Sequence, residues 1–421
     1  MNILFLTLVQ FDSVKESGIY TDLLREFVKS GHYVYVVSPI EKRQKKSTYV
    51  VDEKHVEIVR LQIGNMQKTN IIEKGISTIL IESQYKNAIK KYFSDVKFDM
   101  ILYSTPPITL VGAIEYVKRR DNAKTYLLLK DIFPQNAIDI GMMKKTGIKG
   151  VLYKYFRKQE KKLYSISDKI GCMSWANVEY VLEHNREVKD RNAISLKQCG
   201  KPLVELCPNC IEPVDMSITI EERKKLRGKY DIPQDAIVFV YGGNLGKPQG
   251  ISYMMECLKL QKNNEQVYFL IIGNGTEYHL IEKFIENNKP KNIKLYQALP
   301  KKEYDQLVAA CDVGMIFLDY RFTIPNFPSR LLSYMQAKLP IFAITDVNTD
   351  VGNVIVGIDR NSKKTHEPFG WWCESNNVED FQLIMSQIIS EDLKVMGQRA
   401  YLYLLKNYSA KYCSKIIIEK E

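Results

Sequence analysis

Along this chain of 421 residues, short apolar runs alternate with polar loops and with stretches whose apolar residues recur at helical spacing. Ile3–Val9 predicts a buried strand and Gln10–Ser17 a polar loop. Ile19–Ser30 predicts a helix opened by Gly18 and closed by Gly31-His32, and Tyr33–Val37 a second strand. Strand, loop, helix and strand in that order form a right-handed βαβ unit, the building block of a parallel sheet. The loop lacks G-x-G-x-x-G, so it carries no dinucleotide fingerprint. Val56–Leu61 predicts a further strand and Thr78–Phe93 a helix. Met100–Tyr103 predicts a strand running into Ser104-Thr105-Pro106-Pro107, then a helix over Thr109–Arg119. Thr125–Leu129 is an almost wholly apolar strand ending in Lys130-Asp131-Ile132-Phe133-Pro134. Ile170–Met173 and Asn177–Asn185 add a strand and a helix.

After a connector, Glu205–Pro213, the alternation restarts. Ala236–Tyr241 predicts a strand, Gly242-Gly243-Asn244-Leu245-Gly246 a glycine-rich turn and Gly250–Leu260 a helix. Val267–Ile272 is the next strand, closed by Gly273-Asn274-Gly275, with a helix over His279–Asn287. Ile293–Leu295, Lys302–Ala310, Val313–Phe317 and Ile341–Ile344 continue the series as strand, helix, strand and strand. The fold class is therefore α/β with two Rossmann-like domains, 1–208 and 209–395. Residues 396–421 form a helical segment free to cross back to the first domain. Open α/β sheets bind ligands at the carboxyl ends of their strands. The two glycine turns and the polar ends of the first-domain strands should therefore line such edges.

The second domain is organised around Thr323–Leu339, where a loop with Pro325, Asn326 and Pro328 enters a helix with Leu331, Leu332, Met335 and Leu339 on one face. Pro328 suits a first helical turn. The free N–H groups of that turn, the Ser329 hydroxyl and the Arg330 guanidinium should converge on an anion such as a phosphate or diphosphate.

Hydrophobic residues make up 45% of the chain, ample for two cores, and no apolar run approaches the ~18 residues of a membrane span. The N-terminus, M-N-I-L-F-L-T-L-V, has no basic n-region and no small-residue cleavage site, so it reads as a first strand of an intracellular protein. Among eight cysteines, Cys207-Pro-Asn-Cys210 with Cys199 nearby has zinc-ligand spacing. No second pair follows, and reduced thiols in a connecting segment are expected, with no metal. The net charge of +11 calls for an acidic partner. Its densest part is Lys144, Lys145, Lys149, Lys154, Arg157, Lys158, Lys161 and Lys162, interrupted only by Glu160. Val151, Leu152, Tyr155, Phe156, Gln159 and Leu163 follow helical spacing between them, so the segment predicts an amphipathic helix with a packed apolar face. Its basic face could lie on an anionic bilayer or simply in solvent. Aromatic residues are not interleaved as on a nucleic-acid platform, so no nucleic-acid partner is expected.

Six segments together resemble the family 4 glycosyltransferases, closest to the bacterial subgroup that builds capsules, O-antigens and exopolysaccharides. They are S-T-P-P-I-T-L, K-D-I-F-P-Q-N-A, C-P-N-C-I-E-P, Y-G-G-N-L-G-K-P-Q-G-I, I-I-G-N-G-T-E and N-F-P-S-R-L-L-S-Y-M-Q-A-K-L-P-I. They span nearly the whole chain in the family's order. The resemblance implies the GT-B fold, two Rossmann-like domains facing each other across a cleft. It also implies a retaining hexosyl- or N-acetylhexosaminyl-transferase with a nucleotide-sugar donor, most often UDP-linked, and usually no metal. The donor would lie against Gly243, Asn244, Gly273, Asn274, Gly275 and Leu299, with Pro328, Ser329 and Arg330 on diphosphate and sugar. Arg330, helped by Lys247, would stabilise the leaving diphosphate. A lipid-linked or saccharide acceptor would meet Ser17, Gly18, Thr105, Pro106 and Lys130, with Asp131 orienting its hydroxyl.

The chain departs from the family where many members carry Glu-x7-Glu. Pro325 and Ser333 stand there, and Ser333 could bond a ribose hydroxyl only as a neutral group. Asn244 and Gln249 stand where many members have Arg and Lys. Because acceptors in such pathways are often undecaprenyl-linked, the resemblance also points the Lys144–Lys162 face at the inner leaflet, making the protein cytoplasmic and peripheral on the membrane. A UDP-sugar 2-epimerase on the same architecture would want paired acids and His around the cleft, and none of the five His falls in the recognised segments. A nucleic-acid binder would show steeply salt-dependent binding and no affinity for nucleotide sugars.

Overall fold

The computed structural model describes residues 1–66, 71–185, 188–190, 201–359 and 361–418. They form two compact units: Met1–Glu212 with Ala410–Glu421, and Pro213–Ser409. The expected boundary at 208 thus lies a few residues early. The expected C-terminal segment is shared between the units. Its Leu393–Asn407 helix packs on the Arg330–Gln336 helix of the C-terminal unit. Its Ala410–Ile418 helix packs on the Ile19–Lys29 helix of the N-terminal unit. The packing residues decide this, since Ala410, Cys413 and Ile417 join the same apolar cluster as Leu23, Leu24 and Phe27.

The N-terminal unit holds β1 (Asn2–Leu6), β2 (Tyr33–Glu41), β3 (Tyr49–Glu53), β4 (Val56–Ile63), β5 (Met100–Ser104), β6 (Lys124–Leu129), β7 (Lys169–Cys172), β8 (Lys189–Asp190) and β9 (Leu203–Leu206). They make a nine-stranded sheet in the order β3-β4-β2-β1-β5-β6-β7-β9-β8, parallel except for the β3–β4 hairpin. The inner strands are apolar on both faces because helices cover both; β5 is buried throughout. β1 ends at Leu6 rather than Val9. Thr7, Val9 and Ser38 are instead held by loop bonds, with Ser38 Oγ donating to the Val9 carbonyl at 2.8 Å. From β1 the chain crosses to β2 on one side, and from β5 to β6 on the other, so the topological switch point falls between β1 and β5.

The C-terminal unit holds β10 (Ile237–Asn244), β11 (Val267–Asn274), β12 (Ile293–Tyr296), β13 (Val313–Phe317), β14 (Ile341–Thr345) and β15 (Gly370–Glu374), in the order β12-β11-β10-β13-β14-β15, all parallel. Its core stacks Phe239 on Phe269 at 5.2 Å and Phe342 on Phe381 at 5.6 Å. Crossovers leave β10 and β13 in opposite directions, so this unit's switch point lies between β10 and β13.

The basic segment folds as a helix over Gly147–Ile166. Its inward side is the expected one only in part, with Leu163 buried and Phe156 half-buried against Phe133. Gly150, Glu160, Leu163 and Tyr164 are buried, whereas Val151, Leu152 and Tyr155 are 70%, 47% and 40% exposed. A polar residue can take the inner position because it is satisfied there. Arg157 pairs with Glu160, and the Tyr164 hydroxyl donates to Glu160 Oε1 at 2.9 Å. Among the described residues, no helix is long and apolar enough to cross a membrane.

Candidate functional site

At the β10–β13 switch point, β10 runs three residues and β11 two residues beyond their expected ends and they stay paired there, Gly243 opposite Gly273 and Asn244 opposite Asn274. Glycine makes this possible. A Cβ on Gly273 would stand 1.8 Å from the Gly243 carbonyl oxygen, and Gly243 has φ +134°, a region closed to most side chains. The two glycine turns are therefore one surface. Leu245 N donates to Asn274 O at 2.9 Å, and Ala298 N donates to Asn274 Oδ1 at 3.3 Å, bringing the Leu299 loop alongside.

The Pro-Ser-Arg element reaches the same place. The helix spans Arg330–Gln336, with tight turns before it in which Leu331 N donates to Pro328 O at 3.2 Å and Leu332 N to Ser329 O at 3.1 Å. Leu331, Leu332 and Met335 are buried as the pattern requires. The preceding loop is anchored where Asn326 N donates to Thr349 Oγ1 at 3.0 Å. Thr349 is itself held by Asp346, whose pKa burial pushes up to about 6 against the hydrogen bonds from Thr349 and Asn348.

Arg330 turns back from the helix over the strand ends. Its guanidinium carbon lies 4.4 Å from the centre of the Tyr241 ring, and a Cβ on Gly243 would meet its Nη2 at 3.2 Å. Tyr334 and Tyr304 close the cage. Gly242 N donates to the Tyr334 hydroxyl at 3.0 Å, and Gly242 leaves no room for a side chain because Tyr304 occupies it. Burial holds the Tyr304 and Tyr241 phenols above their usual range and pushes Tyr334 up to about 12, in each case partly offset by Arg330, so all three are neutral at physiological pH. Burial opposes the charge of Arg330, but the surrounding phenol oxygens outweigh it and leave its pKa above the ordinary arginine value. Although the residue keeps some accessible surface, its Nη1 is sealed from solvent without a hydrogen-bond partner. Tyr241, Tyr334 and Tyr304 are the groups that most support its charge.

Lys247 is exposed and lines a neighbouring cavity of about 360 Å³ with Asp319, Arg321, Glu277 and Ser375. Asn244 turns its side chain to Gln249, donating from Nδ2 to Oε1 at 2.8 Å, so those two neutral residues partner each other. Ser333 is half-buried on the Arg330–Gln336 helix, Ser329 is exposed, and Pro325 is buried in the loop.

In the N-terminal unit, the polar strand ends meet as expected. Thr105 Oγ1 accepts from Lys130 N at 3.0 Å and from Asp131 N at 3.3 Å, fastening the end of β5 to the turn after β6. Asn136 Nδ2 donates to Asp131 Oδ1 at 2.6 Å. Burial pushes the Asp131 carboxyl up to about 6. The bonds from Asn136 and the Ile132 N–H work against the rise, and nearby Glu160 adds to it. The turn rests on the basic helix, with Phe133 edge-on to Phe156 at 5.0 Å. Lys130 reaches toward Cys207 O at 3.5 Å. Pro106 is exposed beside Thr105. Ser17 is exposed and Gly18 half-buried at the start of the Ile19–Lys29 helix, where Gly18 N donates to Asp22 Oδ1 at 3.0 Å. These two share with Thr105 and Asp131 the edge beside β1 and β5.

Cys207 and Cys210 lie with Cys413 in the buried cluster beneath the Ala410–Ile418 helix, and Cys199 lies outside the described residues. Among the described residues, no group of three or more His, Cys, Asp or Glu is placed to hold a metal.

The tyrosine cage had no place in the sequence reading. Its only local signals were Tyr334, one helical turn after Arg330, and Tyr241, two residues before Gly243.

Residues 222–403 match the family model described as Glycosyl transferases group 1. The chain is 25% identical over 342 residues to the probable glycosyltransferase WbjE of Pseudomonas aeruginosa, spanning 81% of this chain and 78% of that protein. It is 28% identical over 89 residues to the putative colanic acid biosynthesis glycosyl transferase WcaI of Escherichia coli, 21% of each chain. Among solved structures, the E. coli trehalose-6-phosphate structure bound with UDP-2-fluoro glucose superposes with TM-score 0.70 at 11% identity, covering 99% of this chain and 98% of that one. HepE from Anabaena in complex with UDP-glucose gives TM-score 0.63 at 13% identity, again covering 99% and 98%. At such identities these two likenesses establish fold.

Proposed function

We propose that this chain, a group 1 glycosyltransferase of the GT-B fold, takes a UDP-linked sugar at the β10–β13 edge and transfers it with retention to a lipid-linked or saccharide acceptor at the β1–β5 edge. The observation that carries the donor assignment is Arg330. A buried cation without a carboxylate partner costs folding free energy and persists where a ligand supplies the missing anion. A donor diphosphate laid on the Gly243–Asn274 turn surface would do so. Its departure would build negative charge beside a guanidinium already fixed by Tyr241, with nothing to reorganise. No metal is needed for that step. The UDP-sugar complexes among the structural likenesses and the polysaccharide role in the WcaI name support the choice of UDP and of surface polysaccharide assembly.

On the acceptor side, Asp131 in its ionised form would accept a hydrogen bond from the attacking hydroxyl, with Lys130 and Thr105 fixing the turn that carries it. Glycolipid acceptors reside in membranes, and the Lys144–Lys162 segment, which rests against the Asp131 turn, would seat the protein on an anionic leaflet. The Lys149 side chain lies outside the described residues.

A thermal-shift panel of UDP, GDP, CMP and common nucleotide sugars tests the donor. UDP and UDP-sugars should stabilise the protein, by about 2.7 kcal/mol at a hundredfold excess over Kd. Stabilisation by none of the panel sinks the assignment.

A further inference from the structure

The carboxyl edge of the N-terminal sheet runs on past Asp131. Leu129, Cys172 and Leu206 stand abreast on β6, β7 and β9, so the residues after them leave the sheet side by side. Cys207 N donates to Cys172 O at 2.7 Å, and Lys130 Nζ reaches Cys207 O at 3.5 Å, which ties the three exits together. Asp131 follows Leu129 by two residues, and Trp175 follows Cys172 by three. Strand spacing and rise put their backbones on the order of 6–8 Å apart, about the breadth of a sugar ring. Trp175 opens the Trp175–His184 helix, whose buried residues are Ala176, Asn177, Val178 and Val181. The indole stands off that face and is 57% exposed. A single exposed apolar side chain is ordinary. This one has beside it a polar group that lacks a partner. Asn209, on the neighbouring exit, is 6% exposed, and its Oδ1 has no hydrogen-bond partner. Its Nδ2 donates to the Met173 sulfur at 3.4 Å, a weak acceptor that holds the amide loosely. An apolar plate with an amide, an ammonium and a carboxyl around it matches a saccharide, which offers C–H faces and hydroxyl edges together. A hydrocarbon chain would cover the indole and leave the polar groups unmet.

We propose that Trp175 is the platform of an acceptor subsite. The terminal sugar ring of the acceptor stacks on the indole and presents a hydroxyl to Asp131, while Asn209 and Lys130 bond the edge of the ring. The subsite carries the acceptor edge from β5 and β6 across to β7 and β9, and makes a saccharide the group that is elongated. Ser174 Oγ accepts from Asn177 N at 3.3 Å and so fixes the helix start that presents the indole. The inference rests on the acceptor placement proposed above.

Intrinsic fluorescence reads this subsite directly. The chain has three tryptophans. Trp371 is 9% exposed and Trp372 donates from Nε1 to Thr345 Oγ1, which leaves Trp175 as the exposed emitter. The full chain, with and without UDP, is titrated with the methyl β-glycosides of glucose, galactose, N-acetylglucosamine and N-acetylgalactosamine. At least one should change the Trp175 emission saturably. Saturation-transfer NMR should magnetise the ring C–H protons of that glycoside most strongly. By the same measurement, Trp175→Ala should bind it about threefold to tenfold more weakly, and Trp175→Tyr should keep most of the affinity. The side chain is exposed, so UDP stabilisation of both variants should match the wild type. Glycoside binding that Trp175→Ala leaves unchanged overturns the platform and leaves the acceptor edge standing. Binding of none of the four glycosides overturns both, while the UDP response decides the donor reading separately. An equal change of emission with octyl sulfate, which brings a chain and no ring, assigns the indole to hydrocarbon and overturns the saccharide assignment.

Discussion

The two switch points use the same sheet geometry for opposite electrostatic ends. At the β10–β13 edge, a guanidinium is held among neutral phenols, with its Nη1 sealed from solvent. At the β1–β5 edge, a carboxyl is crowded by burial and a second acid, Glu160, until its pKa reaches about 6. The first site holds a permanent charge that only an anion can satisfy. The second holds a titratable group whose charge depends on its surroundings. A parallel sheet thus fixes where a ligand sits, while the side chains at its edge decide whether the site grips or orients.

The largest test of this contrast is Arg330. Arg330→Ala should reduce kcat by about 10²–10³-fold, as loss of a preorganised transition-state donor does. It should also abolish stabilisation by UDP. Arg330→Met should lose the same response yet raise the melting temperature of the unliganded protein, because an unpaired buried cation is removed and its volume kept. A marked fall in that temperature would make Arg330 structural.

Next comes Asp131→Asn, expected to slow turnover by about tenfold to a hundredfold. The wild-type kcat/KM should fall as pH drops below about 6, where the carboxyl takes up its proton. Stability has the opposite slope. A carboxyl with a pKa of about 4 unfolded and about 6 folded binds more protons in the native state between those values. Stability from this group therefore declines as pH rises across that window and is level above it. Asp131→Asn should flatten both profiles, and unchanged turnover would remove the residue from the mechanism.

Gly243→Ala is smaller, about 1–3 kcal/mol of stability from backbone strain at its positive φ, with weaker UDP binding because the new methyl crowds Arg330. Ser333→Ala should be the least, within about twofold in kcat/KM. A large loss there would mean that Ser333 carries the ribose contact left by the missing glutamates.

The chain's local chemistry was legible where one segment sufficed. Glycines at strand ends, Pro328 before a helix and an apolar strand ending in Lys130-Asp131 each announced an edge residue from neighbours in sequence. The β10 and β11 strands ran longer than periodicity suggested because glycine, read as a turn, here permits close pairing. The basic helix packs Leu163 and Phe156 inward as periodicity expects but turns Val151 and Leu152 outward. Periodicity ranks Val151 and Leu152 above Glu160 for burial, and only Arg157 and Tyr164 in three dimensions reverse that order. The tyrosine cage stayed hidden because Tyr241, Tyr304 and Tyr334 come from three elements. Lys247, adjacent in sequence to the glycine turn, lines a cavity with Asp319 and Arg321. The group 1 match over residues 222–403 favours a glycosyltransferase over the 2-epimerase alternative.

The C-terminal unit begins at Pro213 and ends at Ser409, and its flanking residues touch, Ala410 N donating to Ile211 O at 2.8 Å. In topological terms it is a cassette inserted into the N-terminal unit through a single doorway. Recombination at two points a hydrogen bond apart would exchange the C-terminal unit for another while the N-terminal unit keeps every strand and its closing helix.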